Sequence, residues 1–277
     1  MEVSRFKGNF TGNLALRSVS SVVLVSVVLS SLYVGGWYWR LVASAVAMVS
    51  LWEFYVLLSS RYSMSRGMGL LAGLTMLWAA SVGLSLSSIL AVISLLAFMV
   101  LFVEVLRRQN TGQSDALANI GGTLAGVAYV VLPWCFLILL REHTWGRLFV
   151  LTIFLCTWFC DVTAYFVGSI WGRYSLCDKV SAKKTWEGFG GGVLGSVFAS
   201  SLVALIFEFP PLPLLLLGLL CGFAGQLGDL GESVLKREAG VKDSGSLIPG
   251  HGGFLDRFDS ILVNSSLAFI IFEVLGR

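Results

Sequence analysis

The sequence contains little charge for its length. Only 13% of its 277 residues are Asp, Glu, Lys or Arg, whereas 56% are hydrophobic, and the mean hydropathy is +0.85. So few polar side chains cannot cover a water-facing surface. The composition therefore excludes an ordinary soluble domain and predicts a membrane protein. A net charge of +3 is also too small to predict a nucleic-acid partner.

Cysteine motifs and processing signals are also missing. The five cysteines form no CxxC pair, which argues against both a disulfide framework and a zinc site. Residues 1–18 are polar, and the first apolar stretch is followed directly by a second one without a small-residue cleavage pattern. We therefore expect no cleaved signal peptide and a first helix that is retained. No long Pro-rich or Ser-rich linker separates soluble domains.

Long apolar segments fill the chain instead. A membrane-spanning helix needs about 20 mostly apolar residues. Nine segments qualify, at residues 18–39, 41–60, 67–86, 87–106, 116–140, 148–171, 188–207, 211–233 and 254–276. The sequence thus predicts an all-α, polytopic membrane bundle of about nine helices. We divide it into residues 1–147, with spans one to five, and residues 148–277, with spans six to nine and two cytoplasmic loops.

The positive charges fall mainly on one side of this predicted topology. When the spans alternate from the N-terminus, 15 of the 19 Lys and Arg residues lie on the side of the N-terminus and four lie on the other. Positive residues favour the cytoplasmic side. We therefore expect a cytoplasmic N-terminus, an outward-facing C-terminus and insertion in the cytoplasmic (inner) membrane.

Acidic residues occur where a bilayer would disfavour them. Ten of the 16 acids fall between Asp161 and Asp259. A charge at the bilayer centre costs at least about 2.5 to 3.5 kcal/mol, so such acids usually have a function. Asp229 and Glu232 are three residues apart, as are Asp256 and Asp259, so each pair can share a helix face. A metal or catalytic role is the favoured interpretation of Asp229 and Asp256, and a salt bridge with Lys236 or Arg257 is the alternative.

Two cytoplasmic loops have the charge expected of a polyanion-binding site. Residues 173–188 and residues 235–259 each contain four cations, and each loop leads into the N-terminus of a predicted span. Free backbone N–H groups and the helix dipole favour anions there. The pattern predicts phosphate binding, although cytoplasmic loops are generally basic.

Other residues have structural interpretations. Glycines at positions 218, 222, 225 and 228 lie on one face of the eighth span, which is typical of close helix packing. Glu53 and Glu104 are lone acids near span ends, where a helix cap, an ion pair or snorkelling is the favoured interpretation. Glycine-rich spans also lead us to expect a homodimer, although its interface is not indicated.

The C-terminal charged segment resembles the signature of the phosphatidate cytidylyltransferases, also called CDP-diacylglycerol synthases. The matching positions are Ser233, Lys236, Arg237, Lys242, Asp243, Pro249, His251, Gly252, Gly253, Asp256, Arg257 and Asp259. Upstream, the resemblance includes residues 228–233, 181–188 and 161–172. The chain departs from the family pattern at Ser169, Arg173, Asp178 and Ala182.

The resemblance implies transfer of CMP from CTP to phosphatidate, with CDP-diacylglycerol and pyrophosphate as products and Mg²⁺ as cofactor. The predicted catalytic residues are Asp229, Asp256, Lys236 and Arg237. The predicted substrate-binding residues are Lys183, Lys184, Thr185, Ser233, Lys242, Asp243, His251, Gly252, Gly253 and Arg257. The predicted metal ligands are Asp229 and Asp256, with Asp161, Glu232 and Asp259 as secondary candidates. A second metal ion and the role of His251, in phosphate contact or in shaping the turn, stay open.

Two other functions are compatible with parts of the pattern. A cytidylyltransferase acting on an isoprenoid ether lipid phosphate would need the same chemistry. A membrane transporter would also place acids inside spans, but it would need a polar path to both faces. The predicted outer loops contain almost no charge, which favours an enzyme.

Overall fold

The computed structural model describes residues 19–245, 247 and 252–275. Helix α1 covers Val19–Val34 and α2 covers Gly36–Leu58, with only Gly35 between them. Gly35 has a φ of 72°, which glycine adopts without steric cost. The described chain continues through α3 (Arg66–Ser81), α4 (Leu86–Thr111), α5 (Ala116–Gly126), α6 (Leu132–Arg141), α7 (Gly146–Trp171), α8 (Trp186–Ile206), α9 (Pro211–Glu238) and α10 (Leu255–Leu275).

Helices α5 and α6 form one continuous segment with a wide turn in its middle. The turn, Val127–Val131, is π-helical and is followed by Pro133 in the first turn of α6. Proline lacks an N–H group and clashes with the carbonyl four residues earlier, so an α-helical turn cannot continue undisturbed there. The wider turn accommodates the proline and keeps the segment helical.

Each apolar segment predicted from the sequence coincides with helical structure. Among the described residues, six helical segments are long and apolar enough to cross a membrane: α2, α4, the α5–α6 segment, α7, α8 and α9. Helices α1, α3 and α10 are not in this group. The fold is therefore that of a multi-pass membrane protein, and the number of nine crossings stays a prediction.

The prediction of a purely α-helical chain was incomplete. Strands β1 (Ser175–Cys177) and β2 (Ser181–Thr185) form an antiparallel hairpin in the basic loop between α7 and α8. Strands of three and five residues are too short to show a period-two pattern, and a hydropathy scan treats this polar segment as a loop. The hairpin matters because β2 leads directly into α8.

The last four helices pack closely through small residues. The predicted glycine stripe of α9 contacts two neighbours: Gly218 and Gly222 face α8, and Gly225 and Gly228 face α10. A Cβ atom at Gly222 would lie 2.9 Å from the backbone of Val193, so a larger residue would separate the helices. The prediction of close packing is confirmed, and it places the acids of α9 against α10.

Helix α10 also packs against the N-terminal half of the chain. Trp134 contacts Phe258 edge-on with ring centroids 5.3 Å apart, and Phe136 stacks on Phe269 at 4.5 Å. These pairs join α6 to α10. The two halves of the sequence therefore share one packed interior in this region.

A polar contact links the α2–α3 connection to the end of α9. The Tyr62 hydroxyl donates a hydrogen bond to the Glu238 carboxylate. This bond, together with the negative charge of Glu238, raises the pKa of Tyr62, because ionisation would remove the shared proton and place a second negative charge there. The end of α9 is thus attached to the N-terminal half.

Candidate active site

A cavity of about 740 Å³ lies where α7, the hairpin, α8, α9 and α10 meet. Its volume is in the range typical of small-molecule sites. Five acids and four cations line it together with polar and aromatic side chains. The full lining consists of Asp161, Ala164, Tyr165, Gly168, Ser169, Leu176, Lys183, Lys184, Thr185, Gly188, Phe189, Gln226, Asp229, Lys236, Asp243, Asp256, Arg257 and Asp259.

The hairpin and α8 form one wall of this cavity. The Thr185 hydroxyl accepts the Gly188 N–H at 3.1 Å and so caps the N-terminus of α8. The Glu187 carboxylate accepts the N–H groups of Arg173 and Tyr174 at 3.1 and 3.3 Å. These bonds hold the base of the hairpin against α8. The positive end of a helix dipole therefore lies beside two lysines of β2 at the cavity wall.

Lys184 connects this wall to α9. Its Nζ lies 2.7 Å from Asp229 Oδ2, and both side chains are partly exposed. The other carboxylate oxygen of Asp229 accepts the Ser233 hydroxyl at 3.5 Å, one helical turn away. Asp229 is thus held between a cation from the hairpin and its own helix.

Lys236 connects α9 to α10. Its Nζ lies 2.7 Å from Glu232 Oε2 and 2.8 Å from Asp256 Oδ1, and the Glu232 side chain is fully buried. Two carboxylates therefore share one ammonium group in a mostly buried setting. The salt bridge proposed as the alternative role of Asp256 is present.

Asp256 also organises the segment that leads into α10. Its Oδ2 accepts the backbone N–H groups of Gly253 and Ser244, each at 2.9 Å. Charge-assisted bonds of this kind are stronger than bonds between neutral groups. Asp256 therefore connects the segment after α9 with the first turn of α10.

Two further carboxylates, Asp161 of α7 and Asp259 of α10, also line the cavity. Asp161 of α7 lies within electrostatic range of Asp229 and Asp259, and the carboxyl groups of Asp259 and Glu232 interact with each other. Such a concentration of negative charge needs a proton or a cation to stabilise it. In the described part of the chain, no three Asp, Glu, His or Cys residues are grouped closely enough to hold a metal ion unaided.

The structure brings together most of the site residues predicted from the sequence. Those that line the cavity are Lys183, Lys184, Thr185, Asp229, Lys236, Asp243, Asp256, Arg257, Asp161 and Asp259. Those that are described but do not line it are Arg237, Ser233, Lys242, Glu232, Gly252 and Gly253. His251 lies outside the described residues. Arg237, predicted to be catalytic, instead donates to the Val180 and Val241 carbonyls at 3.4 Å each.

Sequence reasoning missed Gln226 as a residue of the site. Gln226 lines the cavity, and its amide nitrogen donates to the carbonyls of Gly222 and Phe189 at 2.7 and 3.1 Å. It precedes Asp229 by three residues and so lies on the same face of α9. A polar side chain inside an apolar, glycine-rich span was the available signal.

The chain is similar to known proteins along nearly its whole length. Residues 15–275 match the sequence profile of the cytidylyltransferase family. A phosphatidate cytidylyltransferase of Staphylococcus aureus (strain COL) is 33% identical over 251 residues, which cover 89% of this chain and 94% of that protein. A phosphatidate cytidylyltransferase of Synechocystis is 31% identical over 280 residues, which cover 91% of this chain and 94% of that protein.

A third relative matches over a shorter stretch. A phosphatidate cytidylyltransferase of Bacillus subtilis is 38% identical over 174 residues, which cover 61% of this chain and 63% of that protein. The family profile matches far more than half of the sequence, and two relatives are aligned over about nine-tenths of both chains. The chain belongs to the cytidylyltransferase family.

Proposed function

We propose that the protein is a phosphatidate cytidylyltransferase that transfers CMP from CTP to phosphatidate. The observation that carries the proposal is the cavity at which four cations from the hairpin, α9 and α10 face carboxylates from α7, α9 and α10. A reaction between two phosphate-bearing substrates needs such a site, because their negative charges must be brought together. Relatives named phosphatidate cytidylyltransferase align over about nine-tenths of the chain.

The chemistry requires little proton transfer from the protein. A phosphate oxygen of phosphatidate attacks the α-phosphorus of CTP, and the bond from this phosphorus to the oxygen bridging it to the β-phosphorus breaks. Pyrophosphate leaves with that oxygen, and CDP-diacylglycerol is the second product. The second pKa of a phosphate monoester is about 6, so the nucleophile is already largely ionised at neutral pH. Positioning and charge neutralisation are therefore the main tasks of the site.

The cations of the cavity are the proposed phosphate-binding groups. Lys183 and Lys184 lie on β2 beside the capped N-terminus of α8, where backbone N–H groups also favour anions. Arg257 also lines the cavity and comes from a different element, the first turn of α10. Phosphates bound in the cavity would thus have cations from both the hairpin and α10 available to them. Ser233, Arg237, Lys242 and His251 remain proposed contributors to substrate binding.

The carboxylates of the site fit a magnesium ion. Mg²⁺ is commonly held by one or two carboxylates together with phosphate oxygens of the substrate, so a closed cluster of three protein ligands is not required. Asp229, with Asp161 and Asp259 facing the same cavity, supplies the oxygen ligands that this ion prefers. When bound, the ion would neutralise phosphate charge and stabilise the leaving pyrophosphate.

Asp256 fits the role of metal ligand less well than Asp229. Its Oδ1 accepts a bond from Lys236 at 2.8 Å, and its Oδ2 accepts two backbone N–H groups at 2.9 Å each. Asp229 is held less tightly, because its Oδ2 contacts the partly exposed Lys184 and its Oδ1 accepts only a long bond of 3.5 Å from Ser233. We therefore assign the primary metal contact to Asp229 and the support of the α10 segment to Asp256.

The cavity offers a route for a lipid from the bilayer. Tyr165 lines the cavity and is 72% exposed, and the next residue of α7, Phe166, is 57% exposed. Diacylglycerol tails would contact such apolar side chains without leaving the hydrocarbon phase. Nine crossings with a cytoplasmic N-terminus would place this cavity at the cytoplasmic side of the inner membrane, where CTP is present.

A homodimer would need a surface other than the glycine stripe. All four glycines of that stripe on α9 contact α8 or α10 of the same chain. The close packing that glycine-rich helices allow is thus used within the monomer.

The substrate assay separates the proposed function from the two alternatives. The purified protein is given radiolabelled CTP with phosphatidate or with an isoprenoid ether lipid phosphate in mixed micelles, and labelled lipid and pyrophosphate are measured. We expect phosphatidate-dependent formation of both products in equal amounts and their loss on chelation of Mg²⁺. Preference for the isoprenoid lipid would change the substrate assignment. Solute flux through liposomes without CTP-dependent products would indicate a transporter.

A further inference from the structure

A buried acid of the N-terminal half reaches the segment that leads into α10. Glu53 of α2 is 1% exposed, and its Oε2 accepts the N–H of Leu255, the first residue of α10, at 2.9 Å. The Phe254 backbone also hydrogen-bonds to Glu53. These two contacts join residues that are about 200 positions apart in the sequence. A carboxylate at the N-terminus of a helix is favoured by both the free N–H groups and the helix dipole.

Two glycines let the backbone approach this carboxylate closely. A Cβ atom at Gly253 would lie 2.5 Å from Glu53 Oε2, and one at Gly245 would lie 2.6 Å from Glu53 Oε1. Any side chain at either position would collide with the acid. Two points of the segment between α9 and α10, Gly245 and Gly253, therefore both pack against Glu53.

Asp256 holds the same segment as well. The N–H groups of Ser244 and Gly253 donate to Asp256 Oδ2, and Asp256 Oδ1 contacts Lys236. Residues 244–245 and 253–255 are thus in contact with two carboxylates, one from α2 and one from the site. Displacing the segment from Glu53 would also displace the backbone N–H groups that orient Asp256.

We propose that Glu53 is a positioning residue of the transfer reaction. It fixes the start of α10 so that Asp256 and Lys236 keep their orientation toward the cavity, without contacting either substrate. Glu53 Oε1 has no hydrogen-bond partner in the described part of the chain. A buried carboxylate with one unpaired oxygen lowers the stability of the fold. Such a residue is expected where its contacts hold the geometry of a functional site. The expected loss of activity rests on the proposed function, whereas the expected loosening of the start of α10 does not.

The test compares Glu53→Gln and Glu53→Ala with the wild type and with a matched control. Glu104→Gln is the control, because Glu104 is also a buried acid of the N-terminal half. It pairs with Arg107 at 2.7 Å and accepts Asn119 Nδ2 at 3.2 Å, away from α10. Three quantities are measured on each purified protein: the fraction folded, the steady-state constants for CTP per folded molecule, and hydrogen exchange in the peptide that contains residues 252–258.

We expect Glu53→Ala to lower kcat/KM for CTP by about 10- to 100-fold per folded molecule, as is typical for residues that orient ligating groups. Glu53→Gln should show a smaller loss, because it keeps an acceptor but not the charge. Both variants should speed exchange in the peptide containing residues 252–258, and Glu104→Gln should change neither quantity.

Two results would overturn the proposal. One is a Glu53→Ala protein with wild-type constants per folded molecule. The other is unchanged exchange at the start of α10 in both Glu53 variants. Exchange is measured without substrate, so this part holds even if the wild type proves inactive on phosphatidate, which would refute the proposed function instead.

Discussion

At the scale of single residues, the site is organised by shared counter-charges. Lys236 illustrates this, because its one ammonium group serves the fully buried Glu232 and the largely buried Asp256. A carboxylate left without its partner in such a setting is strongly unfavourable. The residue therefore has a structural role in addition to any contact with phosphate.

Removing the Lys236 ammonium tests this structural role. Lys236→Ala should lower the free energy of unfolding by about 3 to 5 kcal/mol, because two buried carboxylates would then face each other without a cation. Chemical denaturation in detergent measures the change. Lys242→Ala is the control, since Lys242 is exposed and its loss should change stability by less than about 0.5 kcal/mol. Equal stability of the two variants would contradict a structural role for Lys236.

The sequence could identify the charged residues but not their partners. The i, i+3 and i, i+4 spacings placed Asp229, Glu232, Ser233 and Lys236 near one another on one helix. Whether Lys236 would pair with Glu232, Asp256 or a phosphate depends on how α9 and α10 pack. Glu53 shows the same limit. A helix cap was among its predicted roles, but which helix it caps, the one beginning at Leu255, is decided by tertiary structure.

At the scale of elements, the start of α8 determines the shape of one cavity wall. Gly188 lies where α8 crosses α7, and a Cβ atom there would be 2.9 Å from the Ala164 carbonyl oxygen and 3.2 Å from the Cα of Gly168. Gly190, two residues further along, has no atom within 4 Å of the corresponding position. The two glycines therefore offer a matched pair on one helix.

The substitution Gly188→Ala should destabilise the protein, whereas Gly190→Ala should not. Crowding against α7 at position 188 should cost about 1 to 3 kcal/mol, while alanine at position 190 gains helix propensity without a collision. Thermal unfolding in detergent distinguishes the two. A Gly188→Ala protein as stable as Gly190→Ala would show that α7 and α8 are not in close contact at Gly188.

Hydropathy was sufficient to predict the helices and insufficient for the hairpin. The apolar segments are long enough to be recognised by composition alone, and each overlaps a helix. The first, residues 18–39, is divided at Gly35 into α1 and the start of α2. Strands β1 and β2 depend on hydrogen bonds between two short polar stretches, which composition does not reveal. The same applies to the wide turn before Pro133. The proline is evident in the sequence, but the π-helical turn that precedes it is not.

At the scale of the whole molecule, both halves of the sequence contribute to one site. The predicted boundary at residue 147 separates the cavity-lining residues, which all follow it, from Glu53, which precedes it. Helix α10 packs on α6 and receives the Glu53 contact from α2. We therefore expect the C-terminal half not to reproduce the site without the N-terminal helices.

The predicted orientation in the membrane can be tested by labelling. In a Cys177→Ser background, the four remaining cysteines are buried, and single cysteines at exposed Lys179 and exposed His143 report opposite ends of the bundle. A membrane-impermeant maleimide should label Lys179→Cys only in inverted vesicles and His143→Cys in right-side-out ones. Labelling of both from the same side would contradict the predicted topology.

The most direct test of the central claim is the activity of Asp229→Asn, because the cavity around Asp229 is proposed to be where CTP and phosphatidate meet. Its control is Glu142→Gln, which removes an acid that pairs with Arg40 at 2.9 Å and lies outside the cavity lining. We expect Asp229→Asn to abolish CTP incorporation into phosphatidate while the protein stays folded, and Glu142→Gln to keep wild-type turnover. Near wild-type turnover by folded Asp229→Asn would contradict the account.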